Sequence, residues 1–445
     1  MLTRLTLTNF KSYREAALPL AALTFLVGAN ASGKSNMLEA MRLLNWLAKG
    51  SRLEEIARII EGGDAIVRGQ SRDLFRDTAQ PFTLGLHLAG APQGWGDFEI
   101  SIGLQADQLV ITGEKVTQPT QKVPLYTVDT APNMHTDEIS VAYNNFKRGS
   151  TKPHIPCSSR QAIFFQLETP GRFEAAHTMA QQIIPQVTRA IRETLRQIVF
   201  LDPRPSLMRD YAYARDDTIK EDGSNLSAVL YKITQTDSGT HKLLDFIRSL
   251  PEQDITDIQF IKTERQDVMV RLLESFGEQQ RIVDAPLLSD GTLRVLAVGA
   301  ALLTSPEGSL VVIEEIDNGV HPSRAELLVR QIRQIATDRH LRVLLTSHNP
   351  ALLDALPDES LADVVCCYRN LSDGDSRLLR LGDMDRYPEL VAQGPLGQLM
   401  TRQVLDRFVK DASTPEQRQA QALAWLSSLQ QANEPAEEGA TGSGT

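Results

Sequence analysis

Residues 28–35, with the sequence GANASGKS, have the types and spacing of a loop that binds phosphate. Two glycines, Gly28 and Gly33, let the backbone curl so that successive N–H groups face phosphate oxygens. Lys34 is expected to reach the β- and γ-phosphates, and the Ser35 hydroxyl is expected to bind Mg²⁺. The helix that begins here would direct its positive end at the same anion. The stretch therefore predicts a nucleotide-binding site.

The residues on either side of this loop fit that prediction. The apolar run 23–27 before it predicts a short strand, and the apolar spacing over 35–48 after it predicts a helix. A strand, a glycine-rich loop and a helix in this order are the context that a phosphate loop requires. This context makes an ordinary glycine-rich turn the weaker interpretation.

A second candidate element is the apolar run SLVVIEEIDN at 309–318, which predicts a strand that ends in acidic residues. We expect this strand to lie beside the strand of the phosphate loop and to bring its carboxylates next to the nucleotide. Glu314 would hold Mg²⁺, directly or through water, and Glu315 would act as general base on the attacking water. The alternative is a strand that ends in a solvated acidic turn.

His348 follows a third apolar run, within 341–350. A side chain at the carboxyl end of a core strand lies on the side where α/β sheets bind ligands. There the imidazole could donate a hydrogen bond to the γ-phosphate or to the water. The alternative is a packed or surface histidine, which is the commoner role of a lone histidine.

The stretch 287–303 begins as a loop and continues as a helix with an apolar face. Ser289, Asp290, Gly291 and Thr292 lie at its start, where free backbone N–H groups bind anions. The alternative is an ordinary helix N-cap, because Ser and Asp are favoured at that position. Taken alone, the stretch favours the N-cap.

Together and in this order, the four stretches resemble the head of the ATP-binding-cassette (ABC) ATPases. GANASGKS is similar to the Walker A motif, LSDGT to the signature motif and VVIEEID to the Walker B segment. His348 resembles the switch histidine, and residues 317–319 resemble the dimer-contact loop. The resemblance is closest to the branch of the SMC, RecF and OLD-family ATPases. It covers about residues 1–70 and 195–400.

The resemblance implies a homodimer in which ATP and Mg²⁺ are sandwiched between two heads until hydrolysis separates them. It implies Lys34, Glu315 and His348 as catalytic residues, with Ser35 and Glu314 as the Mg²⁺ ligands. The implied nucleotide contacts come from Walker A of one copy and the signature of the other: Gly28, Asn30, Ser32, Gly33, Lys34, Ser35 and Asn36, with Ser289 and Gly291.

Three positions depart from the family pattern. Glu314 stands where the Walker B segment usually has Asp, and the longer side chain predicts a looser hold on the metal. Asp290 stands where transporter signatures have Gly. A Q-loop glutamine should follow the strand predicted at 197–201, and Asp202 and Arg204 occur there instead.

We predict an α/β fold: an ABC ATPase head with a mixed sheet around the phosphate loop, an antiparallel β insert and a helical lobe that carries the signature. Helical spacing over 173–197 predicts a helix that Pro185 breaks or kinks. Alternating patterns predict strands in the insert at 82–88, 97–104, 108–116, 124–128, 138–144 and 162–168. The predicted domain bounds are 1–80 for the Walker A part of the core, 81–168 for the β lobe, 169–300 for the helical lobe, 301–412 for the Walker B part of the core, and 413–445 for a helix and a disordered tail.

Composition limits the classes of partner and compartment. The chain has 445 residues and a net charge of −10, which argues against a protein coated in nucleic acid, although DNA binding by a local basic patch stays open. Three cysteines without metal or disulfide spacing fit a reducing cytoplasm. Since no run of 18 apolar residues and no leader-like segment occurs, we expect a cytoplasmic protein without a membrane span.

Three functional classes stay open. We favour the switch subunit of a prokaryotic antiphage defence complex that controls a separate effector, such as a TOPRIM or HNH nuclease or a toxin. A RecF-like DNA-repair clamp is the alternative, and a transporter ATPase is less favoured. Related OLD nucleases carry a TOPRIM domain with a D-x-D metal pair. The two such pairs here, Asp373/Asp375 and Asp383/Asp385, lie among turn residues and favour solvated turns.

Overall fold

The computed structural model describes residues 1–56, 66–130, 137–149, 151–247, 255–276, 279–316, 322–402 and 404–410. Residues 317–319, which resemble a dimer-contact loop, and the segment 413–445 lie outside the described residues. The strands are β1 (Leu2–Phe10), β2 (Tyr13–Pro19), β3 (Leu23–Val27), β4 (Phe82–Leu88), β5 (Asp97–Gln105), β6 (Gln108–Gln118), β7 (Gln121–Val128), β8 (Glu138–Tyr143), β9 (His154–Ser158), β10 (Val199–Leu201), β11 (Ala212–Tyr213), β12 (Ile255–Lys262), β13 (Asp267–Phe276), β14 (Gln279–Asp284), β15 (Leu310–Ile313), β16 (Arg342–Ser347), β17 (Val364–Arg369) and β18 (Ser376–Arg380).

The described helices are α1 (Lys34–Ala48), α2 (Ile163–Gln166), α3 (Thr178–Arg196), α4 (Leu226–Ile233), α5 (Asp237–Ile247), α6 (Asp290–Thr304), α7 (Pro322–Asp338), α8 (Pro350–Asp354), α9 (Asp358–Leu361), α10 (Tyr387–Ala392), α11 (Leu396–Thr401) and α12 (Val404–Lys410). Within the described ranges, none of these helices has the length and apolar character needed to cross a membrane.

A six-stranded sheet in the order β10-β15-β16-β3-β17-β18 carries the phosphate loop. The first five strands are parallel, and β18 runs antiparallel to β17. The prediction that the acidic strand β15 lies beside β3 is wrong, because β16 lies between them. Both β15 and β16 are apolar and almost wholly buried, so hydrophobicity alone does not determine which of them pairs with β3.

An eight-stranded antiparallel sheet in the order β2-β1-β4-β5-β6-β7-β8-β9 forms a second layer. Because β1 and β2 belong to this sheet, it extends across the boundary predicted at residue 80. Helix α1 lies in the core between the two sheets, together with alternate residues of the six-stranded sheet such as Val312 and Leu344. The opposite residues, such as Val311 and Leu345, pack against α6 and α7. The period-two alternation of the strands therefore builds two cores.

A third, four-stranded sheet contains β11, β13, β12 and β14, and it lies in the same core as helices α4, α5 and α6. Helix α6 begins at Asp290, so this part of the chain presents the signature stretch. Cys366 and Cys367 are buried free thiols in β17, and Cys157 is a buried free thiol in β9.

Two predicted elements differ from the structure. Helix α3 continues through Pro185 without the predicted break, because burial of the helix face on both sides of the proline outweighs one missing hydrogen bond. The strand predicted at 162–168 is wrong, since residues Ile163–Gln166 form a single helical turn. The buried Glu114 carboxyl group accepts hydrogen bonds from the N–H groups of Ile163 (2.7 Å) and Phe164 (2.6 Å) and so stabilises this turn.

Glu114→Gln should remove a pH dependence from the stability of the protein. Burial raises the pKa of Glu114 from 4.5 to about 7, although the Tyr126 hydroxyl and two N–H groups lower it in part. Between these pH values the folded protein holds a proton that the unfolded chain releases. The stability contribution is therefore complete below about pH 4.5 and is lost as the pH rises through about 7, by about 3 kcal/mol.

Urea unfolding between about pH 5 and pH 8 measures this change. The wild type should lose more stability with rising pH than Glu114→Gln does. Glu99→Gln is the matched control, because Glu99 lies on the neighbouring strand β5 with an exposed carboxylate paired to Lys115. This control should keep the wild-type slope. Equal slopes for the wild type and Glu114→Gln would contradict the assignment to Glu114.

Candidate nucleotide-binding site

The phosphate loop connects the end of β3 at Val27 to the start of α1 at Lys34. Gly28 (φ 154°) and Gly33 (φ 122°) have positive φ angles that favour glycine. A Cβ atom on Gly28 would lie 2.2 Å from the carbonyl oxygen of Cys367, and one on Gly33 would lie 2.4 Å from Ser376 Oγ. Both glycines are therefore required by close contacts as well as by backbone conformation.

Side chains from distant parts of the chain hold the carbonyl groups of this loop. The Tyr13 hydroxyl donates to the oxygen of Gly33 (3.1 Å), and the Ser376 hydroxyl donates to the oxygen of Ser32 (2.6 Å). Arg369 Nε donates to the oxygen of Ala31 (3.1 Å). These contacts fix the loop before any ligand binds. Tyr13, Arg369 and Ser376 were not predicted as site residues, since no local motif in the sequence marks them.

Lys34 lies across the loop that precedes it. Its Nζ donates to the carbonyl oxygens of Gly28 (2.5 Å) and Ala29 (3.1 Å). Burial lowers the pKa of Lys34, and the nearby Cys367 and Glu315 raise it in part. An ammonium group in this position is a fixed positive charge at the place where phosphate is expected.

A cavity of about 410 Å³ lies at the carboxyl ends of β3, β15 and β16. It brings together predicted residues from three separate stretches of the chain. Its lining includes Asn30, Ser32, Gly33, Lys34, Ser35, Asn36, Glu314, Glu315 and His348. The predicted Walker A, Walker B and switch-histidine residues therefore share one cavity, which is large enough for several polar ligand groups.

Glu314 lies where the sequence predicts a metal ligand, and its carboxylate has a strong partner. Arg42 of α1 donates to Glu314 Oε1 (2.5 Å) and to Glu221 Oε1 (2.5 Å). Burial raises the pKa of Glu314, while Arg42 lowers it. The pairing fixes the carboxylate in place and limits its protonation. Arg42 and Glu221 were not identified from the sequence, because their partner lies far along the chain.

The oxygen atoms of Ser35 and Glu314 fit a magnesium site. A hydroxyl and a carboxylate are hard oxygen ligands, and Mg²⁺ commonly combines one or two such protein ligands with phosphates and water. Both residues line the same cavity. In the described part of the chain, no cluster of three or more His, Cys, Asp or Glu side chains could hold a metal ion by itself.

Glu315 and His348 lie at the ends of neighbouring strands. Glu315 has a left-handed backbone (φ 48°), and its N–H donates to Thr346 Oγ1 (3.1 Å) in β16. His348 is followed by Asn349, whose side chain accepts from Ala351 N–H (3.0 Å) and caps α8. A non-glycine residue in this conformation is a local strain of the kind found at functional sites. The backbone near both residues is thus held by hydrogen bonds at the cavity that both residues line.

Asp202 follows β10, at the place where the sequence left the Q-loop residue open. Burial raises its pKa; Arg204 lowers it, and Glu221 and Glu315 raise it further. The carboxyl group is thus close enough to Glu315 to interact with it electrostatically. A glutamine is not present at this position.

The signature residues lie away from this cavity. Ser289 is the N-cap of α6, and its Oγ accepts from Thr292 N–H (3.0 Å), so the N-cap interpretation describes its role within one copy. Neither Ser289 nor Gly291 is among the residues that line the Walker A cavity. The exposed start of α6 leaves its first N–H groups at the surface, where an anion from a second molecule can reach them.

Two family models match the chain. One, described as "AAA domain, putative AbiEii toxin, Type IV TA system", matches residues 208–354, and another, described as "AAA ATPase domain", matches residues 1–75. The DNA replication and repair protein RecF of Caulobacter sp. (strain K31) is 38% identical over 101 residues, which is 20% of this chain and 26% of that protein. RecF of Leptospira interrogans is 36% identical over 80 residues, 17% of this chain and 22% of that protein. The matches thus span about a quarter of the length of these relatives.

Solved structures of SMC heads are also similar in outline. The match to the SMC head bound to the C-winged helix domain of ScpA covers 85% of this chain and 96% of the SMC chain, with 13% identity and a TM-score of 0.45. The SMC head domain from Thermotoga maritima covers 85% and 98%, with 14% identity and a TM-score of 0.37.

The two matched regions contain the parts of the chain that form the cavity: residues 1–75 hold the phosphate loop, and residues 208–354 hold Glu314, Glu315 and His348. In these regions the chain is similar to AAA-type ATPase domains, and over a fifth of its length it is similar to RecF. Its fold is mixed α/β, with a large antiparallel sheet beside the sheet that carries the phosphate loop.

Gly33→Ala should weaken ATP binding by about tenfold or more. The new Cβ atom would clash with Ser376 and displace the loop, so that at least one charge-assisted hydrogen bond to the phosphates is lost. The measurement is the affinity for fluorescent ATP, with the melting temperature of the free protein recorded in parallel. Gly308→Ala is the matched control. Gly308 also has a positive φ (80°), and a Cβ atom there meets nothing within 4 Å. Equal ATP affinity in both variants would contradict the role of the loop.

Proposed function

We propose that the protein binds Mg²⁺-ATP in this cavity and hydrolyses it, and that two copies close around the nucleotide. The observation that carries the proposal is the convergence of Lys34, Ser35, Glu314, Glu315 and His348 on one cavity at the ends of three parallel strands. Such an edge is where α/β sheets bind ligands. The same convergence supplies each group that phosphoryl transfer to water requires.

Each residue has a distinct role in this proposal. Loop N–H groups and Lys34 bind the phosphates, while Ser35 and Glu314 hold the Mg²⁺, which neutralises charge on the phosphates. Glu315 accepts a proton from the attacking water, and His348 donates a hydrogen bond to the γ-phosphate. The N–H bond to Thr346 keeps Glu315 in its left-handed conformation and thereby aims the base.

The second copy contributes the start of α6. Ser289 and Gly291 lie at the N-terminus of a 15-residue helix, where the helix dipole and free N–H groups favour an anion. Within one copy these residues do not line the Walker A cavity. A head-to-head homodimer would place them against the γ-phosphate of the partner, so ATP holds the copies together and hydrolysis releases them.

Glu315→Gln should retain ATP binding and slow hydrolysis by about a hundredfold or more, because the amide keeps the shape of the side chain and loses its basicity. Closed dimers should accumulate with ATP in size-exclusion chromatography. Lys34→Ala is the comparison variant, which should lose ATP binding and show only monomers. Phosphate release at the wild-type rate by Glu315→Gln would show that another residue is the base.

We further propose that the ATPase cycle controls a separate effector in an OLD-like antiphage defence complex. The description of the family model over 208–354, a putative AbiEii toxin of a type IV TA system, supports such a setting. The two acid pairs considered for a TOPRIM metal site also support a separate effector, because aspartates of both pairs are engaged in ion pairs. Asp375 is buried and ion-paired with Arg14 and Arg76, and Asp383 is ion-paired with Arg380. The interpretation of Asp375 as part of a solvated turn is therefore wrong.

The alternative function is a DNA clamp of the RecF type. It is favoured by the RecF similarity, which covers 20% of this chain. The two functions differ in what the ATP-bound dimer binds: a partner polypeptide in the first, and DNA in the second.

The lone protein should therefore hydrolyse ATP and leave DNA and RNA intact in the presence of Mg²⁺ or Mn²⁺. The products of neighbouring genes, such as a TOPRIM or HNH nuclease or a toxin, should bind the ATP-trapped Glu315→Gln dimer in pull-down assays. Cleavage that Asp383→Ala abolishes would contradict the proposal of a separate effector. ATP-dependent DNA binding without a protein partner would favour the clamp.

A further inference from the structure

Asp290 presents an electrostatic problem for the proposed dimer. It follows Ser289 directly, and its side chain is 66% exposed at the start of α6. The proposed function brings the triphosphate of the second copy to this helix start. An uncompensated carboxylate beside a polyphosphate repels it, and the repulsion is strong where water is excluded. The chain therefore needs a neutralising group here.

Arg209 is placed to neutralise this charge. Its Nη2 donates to Asp290 Oδ1 (2.5 Å), while its Nη1 donates to the carbonyl oxygens of Leu288 (2.6 Å) and Pro286 (3.0 Å). One guanidinium group thus binds both the carboxylate and the turn that leads into α6. A planar fork with several donors suits this arrangement, and a lysine would satisfy only part of it.

The backbone that carries Arg209 is anchored by its neighbours in the chain. The preceding residue, Met208, is 1% exposed. Seven residues earlier lies Leu201, the end of β10, whose carbonyl oxygen accepts from Glu314 N–H (2.9 Å). A short stretch of chain therefore leads from the Walker B end of the sheet to the signature turn. Met208 and Leu288 also belong to one buried core, so packing holds Arg209 beside the turn that leads into α6.

We propose that Arg209 is a positioning residue of the signature: it neutralises Asp290 and fixes the preceding turn, so that the ATP of a second copy meets an N-terminus free of net negative charge. The proposal rests on the proposed ATP-sandwiched dimer. It assigns to Arg209 an electrostatic role, which differs from a purely structural one in its response to salt and to removal of Asp290.

The test compares the ATP concentration for half-maximal dimer formation in Glu315→Gln and in the same protein with further substitutions, by sedimentation velocity. Arg209→Gln should raise this concentration by about tenfold, because it exposes the Asp290 charge. Adding Asp290→Asn should restore it to within about threefold, and high salt should reduce the Arg209→Gln defect through screening. Arg209→Lys should have an intermediate effect.

Arg215→Gln is the matched control, since Arg215 is an exposed arginine of the same part of the chain and the substitution removes the same charge. It should leave the ATP requirement unchanged. An unchanged requirement in Arg209→Gln would overturn the proposal, and so would a double variant no better than Arg209→Gln. If Arg209→Gln does not fold, Asp290→Asn alone decides: an equal or lower ATP requirement supports the proposal, and one several-fold higher overturns it.

The same experiment distinguishes a failure of this proposal from a failure of the proposed ATP-sandwiched dimer. If the Glu315→Gln protein itself does not associate with ATP, the sandwiched dimer is wrong and the role of Arg209 falls with it. If it associates and Ser289→Arg blocks association, the dimer stands. The Arg209 and Asp290 variants then test the electrostatic role alone.

Discussion

The pairing of the parallel strands near their carboxyl ends is the constraint on which the candidate site depends. In the sheet register, Ser347 of β16 lies opposite Val27 of β3, and Leu345 lies opposite Ile313 of β15. The residues that follow these strands therefore leave the sheet at one edge, although they are far apart in the chain. A register shift of one residue would turn each side chain to the other face of the sheet. The geometry of the cavity is thus a consequence of backbone pairing.

The antiparallel sheet is more than an appended layer. Its edge strand β2 carries Tyr13, whose hydroxyl donates to Gly33 in the phosphate loop and lies 3.2 Å from Cys367 Sγ. Beside it, Ser376 of β18, which belongs to the six-stranded sheet, donates to the carbonyl oxygen of Ser32. Side chains of both sheets therefore hold the loop, and rearrangement of either sheet would alter it. This provides a physical route by which a partner on the antiparallel sheet could influence the nucleotide site.

The sequence predicted the features that depend on local pattern. The phosphate loop, helix α1 and the runs that became β15 and β16 follow from apolar periodicity and glycine placement. It did not predict that β16 lies between β3 and β15, because apolar strands do not encode their neighbours. It also missed Arg42 and Arg209, whose roles arise from partners distant in sequence. The turn at Ile163–Gln166 depends on Glu114, which a local pattern of apolar residues does not reveal.

The burial of all three thiols has a practical consequence for spectroscopy. Cys157, Cys366 and Cys367 are 4%, 5% and 2% exposed, and burial raises the pKa of Cys157 to about 11 and raises that of Cys367. Because the thiolate is the reactive form, maleimide dyes should modify the native thiols slowly. A single cysteine introduced on the surface would then carry almost all of the label. The native chain is therefore a ready background for fluorescence measurements of distance between two copies.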